Sequence, residues 1–409
     1  MPKQSPLKSL PRNVWVVTAT SFLTDISSEM LANLVPLFLA GVLKTSTAVI
    51  GLIDGIAETT ASLMKLYSGW LSDKIGKRKW LTVLGYSLST LAKPFLYFAT
   101  TWHWVLGVRF ADRLGKGIRT APRDALVAGS VDEKQRGLAF GLHRAGDTAG
   151  AFLGLLIAAL IIWFTQASNT AQLQENTFQI IILASIIPAV LAVLVLALGA
   201  KEVVSRSNGK APVLSFKGID KPFKIFLLEV VLFTLGNSSD SFIILRAQER
   251  GLGLLPIMAM LMTFNLVYTL LSGPLGALSD KIGRRKLILG GWTAYGLVYL
   301  GFALSQTGWQ IWMLFGLYGV YYAAVEGTAK AFVADLVPPE KRGTAYGLFN
   351  AAVGLTALPA SLIAGVLWQG AFGWDGFGPS APFFFGAALA LLAGLLFWRL
   401  APAAPTLKA

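Results

Sequence analysis

Long apolar runs recur along the chain, separated by short polar segments. Two clear examples are residues 180–198 and 383–400, which contain almost no polar side chains. Runs of about 20 apolar residues can cross a hydrocarbon core about 30 Å thick. Because the runs are unbroken rather than alternating, they predict helices and not barrel strands. We predict about twelve spans, at residues 13–42, 48–72, 79–100, 103–128, 135–165, 178–200, 222–247, 253–278, 285–305, 309–336, 341–369 and 381–401.

The composition agrees with a chain that lies mostly in a bilayer. Of its 409 residues, 55% are hydrophobic and 14% are charged, whereas a soluble domain carries about 25% charged residues. The absence of cysteine excludes disulfides and thiolate metal sites, and two histidines are too few for a histidine-rich metal site. No nucleotide-binding Gly-Lys-Ser/Thr loop occurs, so ATP is not expected to drive the protein. We predict an all-α membrane protein without cofactor or metal, and not an enzyme, since no nucleophile–base pair stands out.

Basic residues are concentrated in every second loop between the predicted spans. Residues 74–79, 201–224 and 281–286 are rich in Lys and Arg, and the intervening loops are poor in them. This positive-inside pattern predicts a multi-pass protein of the cell (inner) membrane with both termini in the cytoplasm. The formal net charge of +14 is then a topology signal, and nucleic acid is not an expected partner.

The two halves of the chain repeat one another. The segment GWLSDKIGKRK at residues 69–79 returns half a chain later as GALSDKIGRRK at residues 276–286. Likewise, DEKQRGLAFGL at residues 132–142 is matched by PEKRGTAYGL at residues 339–348. Repeated halves of about six spans are a known construction of membrane transporters, with a site near mid-bilayer between the repeats.

This repeat predicts three parts of the chain. An N-terminal six-helix bundle is expected at residues 1–200 and a C-terminal six-helix bundle at residues 222–409. Between them, residues 201–221 are polar, basic and interrupted by Gly and Pro, which is typical of a cytoplasmic linker.

Both copies of the repeated loop resemble a conserved cytoplasmic motif of the major facilitator superfamily, Gly-x-Leu-x-Asp-Lys/Arg-x-Gly-Arg-Arg/Lys. The first copy has Lys77 where that motif has its first Arg. The resemblance covers essentially the whole chain, because span count, linker, topology and repeat all agree with it. It implies two pseudo-symmetric bundles that move a solute by alternating access. It also implies a gate formed by Gly69, Asp73, Lys74, Gly76 and Arg78 in the first copy and by Gly276, Asp280, Lys281, Gly283 and Arg284 in the second.

The residue types of this motif suggest a role for each position. Gly69 and Gly276 are expected to allow the close approach of a neighbouring helix. Asp73 and Asp280 are expected at helix ends, where a carboxylate can meet a helix N-terminus or a basic residue. A basic turn that only sets topology is the alternative for either copy, although two matched copies favour the gate.

Two further stretches bear on the family resemblance. The fourth span of the family carries a functional Arg, for which Arg109 and Arg113 are both candidates, with Arg109 fitting the register slightly better. The fifth span contains GDTAGAFLG at residues 146–154, which partly resembles the Gly-rich motif of drug/proton antiporters. The proline of that motif is missing, which weakens an antiporter assignment.

The predicted spans contain many charged residues. A charge at the bilayer centre costs roughly 2.5–3.5 kcal/mol on insertion scales, so such groups normally face a cavity or a partner. Candidates for the substrate or proton path are Asp25, Glu29, Asp54, Glu58, Arg109, Asp112, Arg113, Asp147, Asn237, Asp240 and Glu326. Further charges within the spans are Lys93, Lys116, Arg119, Arg123, His143, Arg144, Glu229, Arg246 and Lys330.

Three interpretations of these charges stay open. Buried carboxylates such as Asp25 and Glu58 are suited to carrying protons, since burial favours their neutral form. The Arg-rich fourth span, including Arg113, suits an anionic substrate. The charges could instead pair as interhelical clamps. We favour clamps near the cytoplasmic ends, at Arg119, Arg123, His143 and Arg144.

The second half offers hydroxyl, amide and aromatic groups for the opposite wall of a pocket. They are Asn237, Ser238, Ser239, Asp240, Asn265, Tyr268, Tyr318, Tyr321 and Tyr322. Tyr and Trp near span ends are more often part of an interfacial belt, which is our interpretation for His103 between two Trp residues. Glu326 and Lys330 are four residues apart and could simply pair.

Together these observations predict a secondary transporter driven by a proton gradient through carboxylates of the first two spans. Its expected partners are a small organic solute, protons and the lipid bilayer, with export favoured and a monomer as the working form. The alternative cargo is an anionic metabolite or a metal chelate. The alternative of another class is a membrane scaffold or sensor that keeps the fold without transporting anything.

Overall fold

The computed structural model describes residues 10–132, 135–166, 171–203, 220–338 and 341–400, and these form helices without a β-strand. The helices are α1 (Arg12–Ala32), α2 (Val35–Gly41), α3 (Thr47–Ile75), α4 (Lys79–Ala92), α5 (Trp102–Ala128), α6 (Arg136–Gln166), α7 (Glu175–Gly199), α8 (Lys221–Gly236), α9 (Ser241–Glu249), α10 (Leu254–Ile282), α11 (Arg284–Leu304), α12 (Gly308–Asp335), α13 (Arg342–Gln369) and α14 (Ala381–Leu400). A 3-10 helix, Lys93–Phe98, continues α4.

These helices make up the twelve predicted spans, which confirms the predicted all-α membrane fold. The first span consists of α1 and α2, the third of α4 and the 3-10 helix, and the seventh of α8 and α9; every other helix is one span. In the described ranges, nine spans are long and apolar enough to cross a membrane by length and composition alone. The remaining three are the third span, α5 and α12. Since α5 carries a row of charges, it depends on polar partners inside its bundle.

The three interrupted spans break where the sequence disfavours a continuous helix. Pro36 lies at the start of α2, and Pro94 is the second residue of the 3-10 helix that follows the end of α4 at Ala92. Proline lacks an amide hydrogen and collides with the preceding turn, so it ends or kinks a helix. Between α8 and α9, residues 237–240 read Asn-Ser-Ser-Asp, side chains that compete with the helix for backbone hydrogen bonds. Each break places polar groups within a membrane span.

The chain divides into two compact units. Of the described residues, the first unit contains 10–38, 60–132, 135–166 and 173–203, and the second contains 39–59, 171–172, 220–338 and 341–400. The division into bundles at residues 1–200 and 222–409 stays a prediction, and residues 204–219 of the predicted linker lie outside the described residues.

In the first unit, α6 packs directly on the backbone of α1. Gly146, Gly150 and Gly154 recur every four residues and face α1, where a Cβ at Gly154 would lie 2.5 Å from the carbonyl oxygen of Ile26. At Gly150 a Cβ would collide with the carbonyl oxygen of Phe22. Small residues at this spacing let two membrane helices approach closely. The GDTAGAFLG stretch therefore serves helix packing in this structure.

In the second unit, the first half of α3 packs on α13. Thr47 Oγ1 donates to the carbonyl oxygen of Gly365 (2.9 Å), and Thr59 Oγ1 donates to that of Gly354 (2.6 Å). Between these bonds, a Cβ at Gly55 would lie 2.7 Å from the Cα of Leu358. Residues 47–59 thus form a tight seam with one face of α13.

Candidate functional site

Charged side chains of four helices meet inside the first unit. On α5, charges recur at residues 109, 112, 113, 116, 119 and 123, a spacing that places them along one side of the helix. The structure brings six predicted candidates together there, from α1, α5 and α6. They are Asp25, Glu29, Arg109, Asp112, Arg113 and Asp147.

Three acids lie close together in this interior. Asp25 has Asp147 and Glu29 as its acidic neighbours, and the cations that act on it are Lys116 and Arg123. We call Asp25, Glu29 and Asp147 the acidic cluster. Ionised carboxylates that share a site repel one another, and binding a proton relieves that repulsion. The acidic cluster is therefore chemically suited to bind and release protons.

Four cations surround Asp112, and we call them the basic cluster: Lys93, Arg109, Arg113 and Arg119. Arg113 Nε lies 4.0 Å from Asp112 Oδ2. Asp25 acts on Lys93 as well, so the basic and acidic clusters adjoin in this interior.

Two members of the basic cluster are bonded to hydroxyl groups instead of carboxylates. Lys93 Nζ donates to Ser27 Oγ (2.5 Å) and Ser28 Oγ (3.2 Å) of α1. Arg119 Nη1 donates to Ser89 Oγ (2.6 Å), and its guanidinium carbon lies 4.5 Å from the ring centre of Tyr86. Both cations are buried. Within the described ranges no carboxylate forms an ion pair with either of them.

A chain of hydrogen bonds links α6 to α1 beside the acidic cluster. His143 Nδ1 lies 3.3 Å from Asp147 Oδ2, and His143 Nε2 lies 3.0 Å from Ser21 Oγ. This is the connectivity of a hydrolytic Asp-His-Ser triad. However, Ser21 is buried, and its hydroxyl also bonds to Tyr86 (3.2 Å) and Arg123 (3.3 Å), so a substrate carbonyl has no access to it. The chain works as an interhelical tie, as predicted for His143 and Arg123.

In the second unit, the unwound residues between α8 and α9 are held by tyrosine hydroxyls. Tyr318 donates to Asp240 Oδ1 (3.0 Å) and Asn237 Oδ1 (3.4 Å). Tyr295 donates to Asn237 Oδ1 (3.2 Å) and to the carbonyl oxygen of Gly236 (3.1 Å). These bonds replace those that the broken helix lacks, so the tyrosines fix the conformation of the break.

The predicted aromatic residues of α12 lie in the core of the second unit and not in an interfacial belt. Tyr318 and Tyr321 are buried, and their rings stack 5.6 Å apart. Tyr268 of α10 donates to Glu326 Oε2 (2.5 Å), and Lys330 Nζ lies 3.4 Å from Glu326 Oε1, as the four-residue spacing predicts. The belt alternative is therefore wrong for Tyr318 and Tyr321, because their rings pack against other aromatic rings of their unit.

The candidates of α3 and those of α1 belong to different units. Asp54 and Glu58 belong to the second unit, whereas Asp25 and Glu29 belong to the first. Asp54 is buried and accepts a hydrogen bond from Ser239 Oγ (2.9 Å), while Glu58 is exposed. Asp54 thus links α3 to the break between α8 and α9 within the second unit.

The first copy of the loop motif ties together three helices of its unit. Arg78 Nη2 lies 3.5 Å from Asp73 Oδ1, and Arg78 Nη1 donates to the carbonyl oxygen of Ala125 (3.0 Å) at the end of α5. Glu202, just after α7, accepts bonds from the amides of Arg78 (2.6 Å) and Lys79 (3.0 Å). A carboxylate at the start of α4 is favourable because that helix end carries unpaired amides and a partial positive charge.

The second copy makes the same contact with a different residue of the motif. Arg284 Nη1 donates to the carbonyl oxygen of Ala331 (3.1 Å) near the end of α12, and it pairs with Asp335 Oδ1 (2.5 Å). By the motif, Arg284 corresponds to Lys77, yet in space it takes the place of Arg78. The reason is that α11 starts directly after Gly283, whereas three residues separate α3 from α4.

The glycines of the two copies differ in their surroundings. A Cβ at Gly69 would lie 3.3 Å from the Cβ of Ala121, so the predicted close approach to α5 is present. At Gly276 no atom of the described residues lies within 4 Å of the place a Cβ would take, so the same prediction is wrong there. Gly76 (φ 69°) and Gly283 (φ 94°) adopt the left-handed conformation that glycine permits. The side chain of Asp280 lies outside the described part of the chain.

Sequence reasoning selected no role for Lys93 or Glu229, although both are charges within apolar spans. The Pro that follows Lys93 is the signal that could have drawn attention to it, since breaks in membrane helices place polar groups at substrate and ion sites. For Glu229 the signal is only a lone acid in an apolar run. What either side chain faces follows from packing, which the sequence pattern does not contain.

Comparison with known proteins agrees with this geometry. The sequence profile described as the Major Facilitator Superfamily matches residues 17–246 and 225–409. The chain is 39% identical to an uncharacterized MFS-type transporter of Methanocaldococcus jannaschii, over 95% of both proteins. It is 23% identical to a protein of Lactococcus lactis named as a homolog of the multi-drug resistance efflux pump PmrA, over 87% of this chain and 89% of that protein.

The fold is similar to that of solved transporters. The crystal structure of the D323A mutant of the nucleoside transporter NupG matches with a TM-score of 0.79, over 95% of this chain and 99% of that chain, at 14% identity. At this identity the likeness concerns the fold alone. The profile match over both halves and the archaeal relative show that the chain belongs to the major facilitator superfamily of membrane transporters.

Proposed function

We propose that this MFS transporter exports a small organic solute by alternating access and is driven by protons that bind the acidic cluster. The observation that carries the proposal is that Asp25, Glu29 and Asp147 share one intramembrane site with Lys116 and Arg123. Charges are expensive in a membrane interior, and they are kept there where they move ions or protons. Carboxylates that lie near cations can bind and release protons inside the bundle, because the cations partly balance the negative charge that proton release leaves.

The remaining parts of the proposal follow from the sequence. The basic loops place both termini in the cytoplasm of a cell (inner) membrane. The two copies of the loop motif form the cytoplasmic gate, and the bundles at residues 1–200 and 222–409 move as the two halves of a monomer. Export is favoured by the similarity to a PmrA homolog named as an efflux pump, because the likeness extends over most of both chains.

The test uses purified protein in two steps. A library of small organic compounds is first screened for compounds that raise its Tm, since a ligand that binds the folded state stabilises it. Hits are then assayed for uptake into proteoliposomes with an imposed pH gradient. We expect Asp25→Asn to abolish gradient-driven uptake while Glu175→Gln, an exposed acid at the start of α7, leaves it intact. A scaffold or sensor would show no flux of any hit under any gradient.

A second candidate function is the transport of an anionic solute. It is favoured by Lys93 and Arg119, buried cations whose hydrogen bonds go to serine hydroxyls. Buried charge without an opposite charge is costly, so an anion that enters this interior gains attraction from both groups. Phosphate and succinate are suitable probes. If the cargo is anionic, they raise the Tm of the wild type and not that of Lys93→Met, while Lys224→Met, an exposed control, behaves as wild type.

A further inference from the structure

One carboxylate of the second unit takes part in none of the sites described above. Glu229 lies about two turns from the start of α8, and the residue is 2% exposed. Neither carboxylate oxygen has a hydrogen-bond partner among the described residues. An ionised carboxylate that is buried and unpaired is one of the most costly groups in a protein interior.

Aromatic rings cover the side of α8 that carries Glu229. Phe226 is three residues before it and Phe233 four residues after it, so the three side chains share one side of the helix. The Phe226 ring lies 5.8 Å from that of Phe397, and the Phe233 ring lies 4.8 Å from that of Trp292. Trp292 and Phe397 are themselves 5.2 Å apart, which makes the four rings a continuous apolar layer. The indole N–H of Trp292 is the one donor among these rings, and it forms no hydrogen bond with the carboxylate.

The charged group that acts on Glu229 from a neighbouring helix is Arg285, at the start of α11. Its Nη2 donates to the carbonyl oxygens of Trp398 (2.5 Å) and Phe397 (3.5 Å) at the end of α14. Other titratable residues on the helices around α8 also form no hydrogen bond with the carboxylate; they are Tyr295 on α11, Tyr321 on α12, Arg342 and Tyr346 on α13, and Arg399 on α14. Arg285 thus acts on Glu229 from a distance, and no described residue forms a hydrogen bond or an ion pair with its carboxylate.

We propose that Glu229 is a proton-binding site of the second unit, which holds its proton in the conformation seen here and releases it in a conformation that admits water to α8. On release the O–H bond of the carboxylic acid breaks, and the proton passes to water as hydronium. The carboxylate that remains has Arg285 as its available cation. The bound proton is inferred from the structure alone, and its use in transport rests on the proposed function.

The direct test is infrared spectroscopy of the purified protein at pH 7, with no substrate present. A protonated carboxyl group has a C=O stretch that an ionised carboxylate lacks. We expect the spectrum of wild type minus Glu229→Gln to contain a protonated-carboxyl band, and the spectrum of wild type minus Glu175→Gln to contain none. A Glu229→Gln difference spectrum without this band, in a variant whose Tm matches the wild type, overturns the proposal.

A second measurement does not depend on the folding of a variant. When all glutamates carry 13C in their side-chain carboxyl group, the band of a protonated glutamic acid moves to lower frequency, while any aspartic acid band, such as one from Asp25, stays in place. We expect part of the protonated-carboxyl absorption of the wild type to move in this way at pH 7. If no absorption moves, Glu229 is ionised and the proposal is wrong. Neither measurement involves transport, so each is informative even if proton-driven export fails its own test.

Discussion

The interiors of the two units are built from different chemistry, although the loops that bound them repeat. The interior of the first unit contains an acidic cluster and a basic cluster. The second is rich in aromatic rings, and tyrosine hydroxyls hold the break between α8 and α9. The difference teaches that the repeat preserves helix count and the gate loops, while each interior is free to specialise. We interpret the first unit as the half that carries most of the charge-handling groups and the second as an aromatic wall with Glu229 as a separate proton site.

The largest effect is expected from breaking the glycine seam that holds the first unit together. Gly150→Leu places a side chain where the backbone of Phe22 already lies, so α6 must move away from α1. Overpacking of this kind costs about 1–3 kcal/mol and sometimes more. We expect a strong fall in Tm or no folded protein. Gly141→Leu, on the same helix with nothing within 4 Å, is the control and should keep its Tm. Equal losses in the two variants would contradict a close α1–α6 seam.

The next effect is expected from the tyrosine hydroxyls of the second unit. Tyr318→Phe removes hydrogen bonds to Asp240 and Asn237, and the loss of a hydrogen bond to a charged group such as Asp240 costs about 1.5–3 kcal/mol. Tyr299→Phe is the matched control, since the hydroxyl of buried Tyr299 has no hydrogen-bond partner among the described residues. Thermal denaturation should show a lower Tm for Tyr318→Phe and an unchanged or higher Tm for Tyr299→Phe. A lower Tm for Tyr299→Phe than for Tyr318→Phe would contradict the hydrogen bonds assigned to these hydroxyls.

A smaller effect, of the opposite sign, is expected at the basic cluster. Lys93→Met removes two hydrogen bonds to serine but also removes a buried cation that forms no ion pair with a carboxylate of the described residues. Replacing buried charge by a packed apolar side chain is often neutral or stabilising. We expect a Tm equal to or above that of the wild type. A marked fall in Tm would show that Lys93 is a structural clamp. Lys93 would then no longer count among the groups that distinguish the charged interior of the first unit from the aromatic interior of the second.

The smallest effects on stability are expected in the gate loops, where the two units are alike. The Asp73 side chain is 47% exposed in its pair with Arg78, and exposed ion pairs contribute about 0–1 kcal/mol. Asp73→Asn should therefore leave Tm nearly unchanged, and Asp335→Asn, which removes an ion pair of Arg284, should do slightly more because the Asp335 side chain is less exposed, at 26%, and its contact is shorter. A large loss of Tm in either variant would make the loops structural ties and weaken their role as a gate.

The spans were predictable because crossing a membrane imposes a length and a hydropathy that the sequence displays directly. Their interruptions were less so. The third span was predicted as residues 79–100, but the regular helix ends at Ala92 because Pro94 disrupts it, and the 3-10 helix completes the span. Residues 237–240 likewise divide the seventh span, which hydropathy shows as one run. In the sequence, the residues that interrupt a helix give a weaker signal than the apolar pattern around them.

The grouping of the site residues was only partly predictable. The charges of α5 share one side at helical spacing, so their meeting with the acids of α1 was within reach of the sequence. The placement of Asp54 against Ser239 was not, because it depends on where the first half of α3 packs. The sequence also could not predict that Glu229 is buried without a hydrogen-bond partner. Its burial depends on how the neighbouring helices pack around it and not on the residue itself.

The central claim is that the charged interior of the first unit binds the protons that drive transport. Its most direct test measures proton release when a stabilising compound from the Tm screen binds purified protein in weakly buffered solution containing a pH dye. The account predicts release by the wild type and by Glu175→Gln, and none by Asp25→Asn despite retained binding. Unchanged proton release by Asp25→Asn would contradict it.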